Sequence, residues 1–83
     1  MQAMADQLPQ AKSAILELIE DATVSKNIKV RLEQVVKILE DDAEISVRVN
    51  RVLNELDDLS NDANLQPYIR TQVWNIVSLL EKV

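Results

Sequence analysis

The segment Ile15-Leu-Glu-Leu-Ile-Glu-Asp-Ala-Thr-Val-Ser-Lys-Asn-Ile28 returns 41 residues later as Leu56-Asp-Asp-Leu-Ser-Asn-Asp-Ala-Asn-Leu-Gln-Pro-Tyr-Ile69. The correspondence continues to residues 40 and 81, and seven of these 26 pairs are identical. Five further pairs exchange one aliphatic residue for another. A repeat of this length is typical of one helix–loop–helix unit used twice. The sequence therefore predicts two similar helical hairpins.

Apolar residues at intervals of three and four indicate four helices, because residues with this spacing share one helical face. The apolar stripes are Met4, Leu8, Ala11, Ile15 and Leu18; Ile28, Leu32, Val35, Val36 and Leu39; Ile45, Val49, Val52, Leu56 and Leu59; and Ile69, Val73, Ile76, Val77 and Leu80. Pro9 interrupts the first stripe. Pro9 therefore either starts the firm part of the helix or kinks it, and the favoured prediction is a firm first helix from about residue 8 to 21, with a looser turn before it.

The connections between the four helices are short, which makes consecutive helices antiparallel neighbours. Ser25 is predicted to cap the second helix, Asp41 or Asp42 the third, and Pro67 fits the first turn of the fourth. The predicted fold class is all-α, an up-and-down four-helix bundle built from two similar hairpins. It occupies residues 1–83 as a single domain, with hairpins at about 4–40 and 43–82.

A solenoid of two HEAT-like hairpin repeats is the alternative architecture. Asp21, Asp41 and Asp62 each come shortly before an aliphatic–basic pair, as in HEAT repeats. A solenoid of two units would leave both end faces uncapped, and about three units are normally needed for stability. The closed bundle is therefore the favoured prediction.

The composition excludes several classes of function. The 83 residues contain no cysteine, no histidine and no glycine, which removes thiolate zinc sites, the commonest general base and glycine-rich phosphate loops. The carboxylates fall off the apolar stripes, and no histidine is present to activate a serine or threonine. We therefore expect no enzyme activity, no cofactor and no catalytic or metal site.

The net charge of −5 argues against nucleic-acid and membrane partners, since the few cations are scattered along the chain. The N-terminus lacks the features of a signal peptide, and no apolar run approaches the ~20 residues that span a bilayer. The expected location is the cytoplasm. The acidic stretch 57–64 lacks the glycine and the glutamate of an EF-hand loop. We therefore expect Asp57 and Asp58 to face solvent and residues 61–64 to satisfy backbone groups between the third and fourth helices, and whether the stretch binds a cation stays open.

Trp74 is the strongest candidate for a contact with a partner. On a helical wheel it lies roughly 120° from the core direction of the fourth helix, beside Arg70, and Val30 and Val47 also point away from their stripes. Bulky apolar residues off the core direction often mark a partner surface. The alternative is that Trp74 covers the open edge of the bundle, folded over Val77. The candidate partner surface is Trp74, Val30, Val47 and Arg70.

These features predict a small acidic protein-interaction module without catalytic activity. Its partner would be another protein or a second copy, so that a homodimer is possible. A second hypothesis is an RNA- or ribonucleoprotein-associated factor that uses Arg48, Arg51 and Arg70. It requires these three side chains to converge on one face, and a salt-dependent affinity.

The chain resembles the archaeal uncharacterised protein family 0147 over nearly its whole length, most specifically from Arg70 to Glu81. The resemblance rests on Ser60, Asn61, Asp62, Asn64, Arg70, Thr71, Trp74, Ser78, Leu80 and Glu81, with weaker support from Asp21, Val24, Asn27, Ile28, Val47 and Arg48. Ala63, Gln66 and Ser25 stand where the family pattern has prolines, so these turns are expected to be less stiff. The resemblance implies an archaeal source, a cytoplasmic location and a compact four-helix fold, and it implies no activity or ligand.

Overall fold

Four α-helices make up the computed structural model, which describes the backbone of residues 2–82 and the side-chain surroundings of residues 8–82. The helices are α1 (Gln2–Ile19), α2 (Lys26–Leu39), α3 (Ile45–Ser60) and α4 (Pro67–Glu81). The part of the chain that the structure describes contains no strand. Within it, none of the helices combines the length and the apolar character that a bilayer-spanning helix requires.

The helices form a closed ring. α1 packs against α2 and α4, and α3 packs against the same two helices; across residues 2–82 the diagonal pairs make no close contact. A solenoid would bring α1 against α3 and leave α1 and α4 apart. The contact between α1 and α4 therefore confirms the four-helix bundle, and the HEAT-like alternative is wrong. The α1–α2 and α3–α4 loops lie at one end of the bundle, and the α2–α3 loop lies at the other.

The buried core follows the same repeat as the sequence. Sixteen of its seventeen buried apolar residues form pairs separated by 41 positions: Ala11 and Val52, Ile15 and Leu56, Leu18 and Leu59, Val24 and Leu65, Ile28 and Ile69, Leu32 and Val73, Val35 and Ile76, and Leu39 and Leu80. Val49 is the remaining one, and its counterpart Leu8 is partly buried against the same core. Both hairpins therefore fill the core with equivalent faces. The side chain of Met4, in the first predicted stripe, lies outside the described residues.

The loops of the two hairpins close with the same hydrogen bonds. The Oδ1 atom of Asp21 accepts a bond of 2.8 Å from the backbone amide of Thr23, and Oδ1 of Asp62 accepts one of 2.8 Å from Asn64. The main-chain carbonyls of the same aspartates each accept a bond of 3.1 Å from the residue three positions on. This shared turn explains why an aspartate stands at the same place in both repeats, and it does so without glycine.

Two of the three predicted helix starts are confirmed. Ser25 caps α2, its side-chain oxygen accepting from the amide of Ile28 at 3.4 Å, and Pro67 opens α4. The prediction of Asp41 or Asp42 as the cap of α3 is wrong, since Glu44 occupies that position without a side-chain bond. Oδ1 of Asp41 instead accepts a hydrogen bond from the amide of Asp42 at 2.7 Å, so this carboxylate stabilises the α2–α3 loop.

The first helix begins earlier and ends earlier than predicted. α1 runs from Gln2 through Pro9 and ends at Ile19. A proline inside a helix removes one backbone hydrogen bond, and here that loss does not end the helix. The turn of Asp21 explains the other boundary, because the amide of Asp21 bonds to the carbonyl of Leu18 at 3.1 Å and the chain then leaves the helix.

Candidate protein-interaction surface

The two aromatic residues of the chain are both exposed and both lie on α4. Trp74 is 55% exposed and Tyr68 is 58% exposed, in a chain that contains one tryptophan, one tyrosine and no phenylalanine. With Thr71, Asn75 and Ser78 they recur at intervals of three and four, and all five are exposed. Residues with this spacing are neighbours on a helix surface. We call these five residues the α4 outer face.

The α4 outer face carries no charge. Thr71–Leu80 is a run of ten residues without a charged side chain, although 28% of the whole chain is charged. The equivalent segment of α2, residues 30–39, contains Arg31, Glu33 and Lys37. Since the two helices occupy equivalent places in the repeat, the architecture does not require an uncharged outer face. The absence of charge is therefore a feature of α4 that its repeat counterpart α2 does not share.

The structure brings together only part of the predicted partner surface. Arg70 and Trp74 are one turn apart on α4, so they are neighbours. Val30 and Val47 are each 45% exposed, which agrees with the helical wheel. Val30 lies on α2, diagonally opposite α4, and Val47 lies at the start of α3, at the far end of the bundle from Arg70. The four residues therefore do not form one patch, and their role as a partner surface stays a prediction.

Arg48 and Arg70 hold helix ends together. The Nη1 atom of Arg48 donates to the carbonyl of Leu39 at 2.7 Å, and Arg70 donates to the carbonyls of Ser60 and Asp62 at 2.9 and 3.1 Å. Each guanidinium thus binds the carbonyl of the last residue of the preceding helix, where the partial charge is negative, and Arg70 also binds the α3–α4 loop at Asp62.

The basic surface that the RNA hypothesis requires does not assemble. Arg48 and Arg51 lie near the α2–α3 loop, whereas Arg70 lies beside the α3–α4 loop at the other end. The Nη1 atom of Arg51 is 4.0 Å from the Asp41 carboxylate. The three arginines therefore do not converge on one face.

The acidic stretch 57–64 is used within the fold. The Asp58 carboxylate accepts a 2.6 Å bond from Nη2 of Arg31, and that of Asp62 closes the loop turn described above. The hydroxyl of Ser60 donates to the carbonyl of Asp57 at 2.7 Å. Among the described residues, no three metal-binding side chains are grouped as an ion would require.

A groove with a volume of about 300 Å³ separates α1 from α4 near the paired loops. Ala14 and Leu18 contribute apolar surface, Tyr68 and Gln72 come from α4, and three carboxylates complete the lining, those of Glu17, Glu20 and Asp21. Hydrogen bonds from the side chain and then the backbone amide of Thr23 lower the pKa of Asp21 from its ordinary value of 3.8, so it is ionised at neutral pH. The groove adjoins the α4 outer face at Tyr68.

Comparison with known proteins identifies the family to which the chain belongs. A model of the uncharacterised protein family UPF0147 matches residues 1–83. The chain belongs to this family. A UPF0147 protein of Methanocaldococcus jannaschii is 41% identical over 68 residues, which cover 81% of this chain and 73% of that protein. A UPF0147 protein of Archaeoglobus fulgidus is 30% identical and is matched over 100% of this chain and 97% of its own length.

Two crystal structures of similar proteins share the fold. The protein MMP1188, described as of unknown function, is 38% identical with a TM-score of 0.89, and the match covers 95% of this chain and 91% of that one. A UPF0147 protein of Thermoplasma acidophilum is 26% identical with a TM-score of 0.94, covering 99% and 98%. The predicted family resemblance is thus confirmed, and the family assigns no activity.

The sequence reasoning missed two features of this surface. Tyr68 lies off the apolar stripe of its helix, and the uncharged run Thr71–Leu80 is visible in the sequence, so both could have been found there. The groove could not, because Glu17 and Gln72 are far apart in the chain and meet only when α1 packs against α4.

Proposed function

We propose that this protein is a non-catalytic protein-interaction module that binds its partner through the α4 outer face. The observation that carries the proposal is that both aromatic residues lie exposed on the α4 outer face, which is uncharged. Tryptophan and tyrosine are enriched at the centres of protein interfaces, and charged residues are depleted there. Burying Trp74 and Tyr68 would remove apolar surface from water, and none of the five residues of the α4 outer face carries a charge that would have to be desolvated.

The partner we propose is a different protein and a basic one. Two copies of this chain would each bring a net charge of −5, and this repulsion opposes self-association. A basic partner would instead be attracted by the net negative charge of this chain and would then bind through the α4 outer face. The arginine positions give the RNA-associated alternative no comparable support.

The test is an affinity capture from an archaeal lysate at low salt, with Trp74→Ser and Tyr68→Ser beside the wild type. Val30→Ser is the matched control, because it removes an exposed apolar side chain from α2, diagonally opposite. We expect one stoichiometric basic protein to be retained by the wild type and by Val30→Ser, and to be lost with both aromatic variants. Circular dichroism of each variant shows that it is folded.

Three results would contradict the proposal. Equal retention by all variants would move the binding surface away from α4. Loss of retention after nuclease treatment would favour the RNA-associated alternative. A concentration-dependent dimer in sedimentation equilibrium, abolished by Trp74→Ser, would show that the α4 outer face binds a second copy instead of a different protein.

A further inference from the structure

We propose that the groove between α1 and α4 receives an arginine side chain of the partner protein, with Glu17 as the carboxylate that binds it. The inference rests on the proposed function in that the occupant belongs to a protein partner. The inference adds a second contact with the partner, beside the α4 outer face, in which a guanidinium binds a carboxylate. Tyr68 belongs to both, since it lies on the outer face and also lines the groove.

The repeat contains an equivalent pair of positions at which an arginine already binds a carboxylate. The residues 41 positions from Glu17 and Gln72 are Asp58 and Arg31, and these two face each other between α2 and α3. Nη2 of Arg31 lies 2.6 Å from Oδ2 of Asp58 and 3.8 Å from Oε1 of Glu55. The α2–α3 pair thus shows how a guanidinium occupies the equivalent position in the fold.

The α1–α4 groove and the equivalent position between α2 and α3 differ in their cation and share two acids. Glu17 and Asp21, which line the groove, correspond to Asp58 and Asp62. Glu20 corresponds to Asn61, and Glu55 corresponds to Ala14. Gln72 stands where the other position has Arg31, and no basic residue lines the α1–α4 groove, although the charge of Lys29 acts on Asp21 from outside the lining. The negative charge of Glu17 is therefore complementary to a cation that this lining does not supply.

An arginine fits this groove better than a metal ion or a lysine. The three carboxylates are not grouped as a metal site would require among the described residues. A guanidinium is planar, binds a carboxylate with two parallel hydrogen bonds, and stacks on an aromatic ring. Glu17 offers the carboxylate and Tyr68 offers the ring on the opposite wall, so both requirements are met in one groove.

The probe is N-acetyl-arginine amide, titrated into the ¹⁵N-labelled full chain and followed by NMR chemical shifts. N-acetyl-citrulline amide, which has the same shape without the charge, and N-acetyl-lysine amide are the comparison ligands. We expect saturable shifts at the amides of Glu17, Tyr68 and Gln72 with the arginine compound alone. Glu17→Gln should weaken this binding about two- to fivefold, the range of exposed ion pairs.

Two further variants make the assignment specific. Glu33→Gln makes the same charge change on the exposed surface of α2 and should leave the titration unchanged. Gln72→Arg places the chain's own arginine at the position equivalent to Arg31, so it should fill the groove and abolish the shifts. Equal shifts with citrulline or lysine, an equal effect of Glu33→Gln and Glu17→Gln, or shifts that survive Gln72→Arg would each overturn the inference.

The proposal for the groove and the proposal for the α4 outer face can be contradicted independently. Trp74→Ser is expected to leave the arginine titration unchanged while it removes capture of the partner. Capture of a partner by a chain that shows no arginine shifts would overturn the groove and leave the outer face intact. Arginine shifts without any captured partner would contradict the proposed function and leave the groove as a site for guanidinium.

Discussion

Replacing Leu56 with alanine removes a side chain that is 0% exposed in the centre of the core. Such a substitution costs about 3–5 kcal/mol, because the buried contacts are lost and a cavity remains. A domain of 83 residues has a total stability of about 4–12 kcal/mol, at roughly 0.05–0.15 kcal/mol per residue. A loss of about 3 kcal/mol corresponds to a fall in Tm of about 12–24 °C. We therefore expect Leu56→Ala to remove between about a quarter and all of the free energy of unfolding.

Leu16→Ala is the matched control, because it makes the same chemical change at a leucine that is 43% exposed. Its expected cost is about 1 kcal/mol, since only part of the side chain leaves an apolar environment and no closed cavity forms. Thermal and urea unfolding, followed by circular dichroism, measure both variants in parallel. Equal losses of free energy of unfolding at the two sites would refute the packing described here.

The other predictions concern a helix end, a titrating carboxyl and the proposed binding surface. Arg70→Met should lower the free energy of unfolding by about 1–3 kcal/mol, because the carbonyls of Ser60 and Asp62 lose a charged donor. Urea unfolding measures this loss, and an unchanged midpoint would contradict it. Thr23→Val should raise the pKa of Asp21 in a carboxyl NMR titration, because the hydroxyl bond is the largest cause of its lowering; an unchanged pKa would contradict that cause. Since the folded pKa is the lower one, the stabilisation from Asp21 is complete above pH 3.8 and is lost as the pH falls through the lowered value. Trp74→Ser should unfold cooperatively, with a smaller loss of stability than Leu56→Ala; near-equal losses would place Trp74 in the core.

The interior of this molecule was predictable because the repeat and the helical period agree. The stripes through Ile15 and Leu56 supply most of the residues that the structure buries in α1 and α3, and a fixed offset of 41 residues relates the two halves of the core. The prediction is wrong for Ile45, which is 38% exposed because it is the first residue of α3, at the end of the bundle. The choice between a bundle and a solenoid depended on one contact, that between α1 and α4. Local sequence does not determine that contact, since both architectures bury the same stripes.

The errors arose where two local interactions compete. Asp41 has the chemistry of a helix cap, but its carboxylate binds the adjacent amide of Asp42, and α3 begins only after Glu44. Pro9 was expected to mark the start of a firm helix, yet α1 continues through it. In each case a residue type allows several local structures, and the packing of the surrounding chain decides between them.

The candidate site was only partly predictable from the sequence. A helical wheel places Trp74 outside the core because this requires only the phase of one helix. The role of Arg70 was not visible, since its guanidinium reaches back to carbonyls at the end of α3. The α1–α4 groove is lined by residues that are far apart in the chain. The proposal that it binds an arginine depends on comparison with the ion pair of Arg31 and Asp58.

The most direct test of the central claim is hydrogen exchange of the chain with and without its captured partner. Residues 68–78 on α4 and residues 27–37 on α2 are equivalent in the repeat, so each segment serves as the control for the other. Binding through the α4 outer face predicts slower exchange at 68–78 and unchanged exchange at 27–37. Equal protection of the two segments, or protection of 27–37 alone, would contradict the proposal that this protein binds through α4.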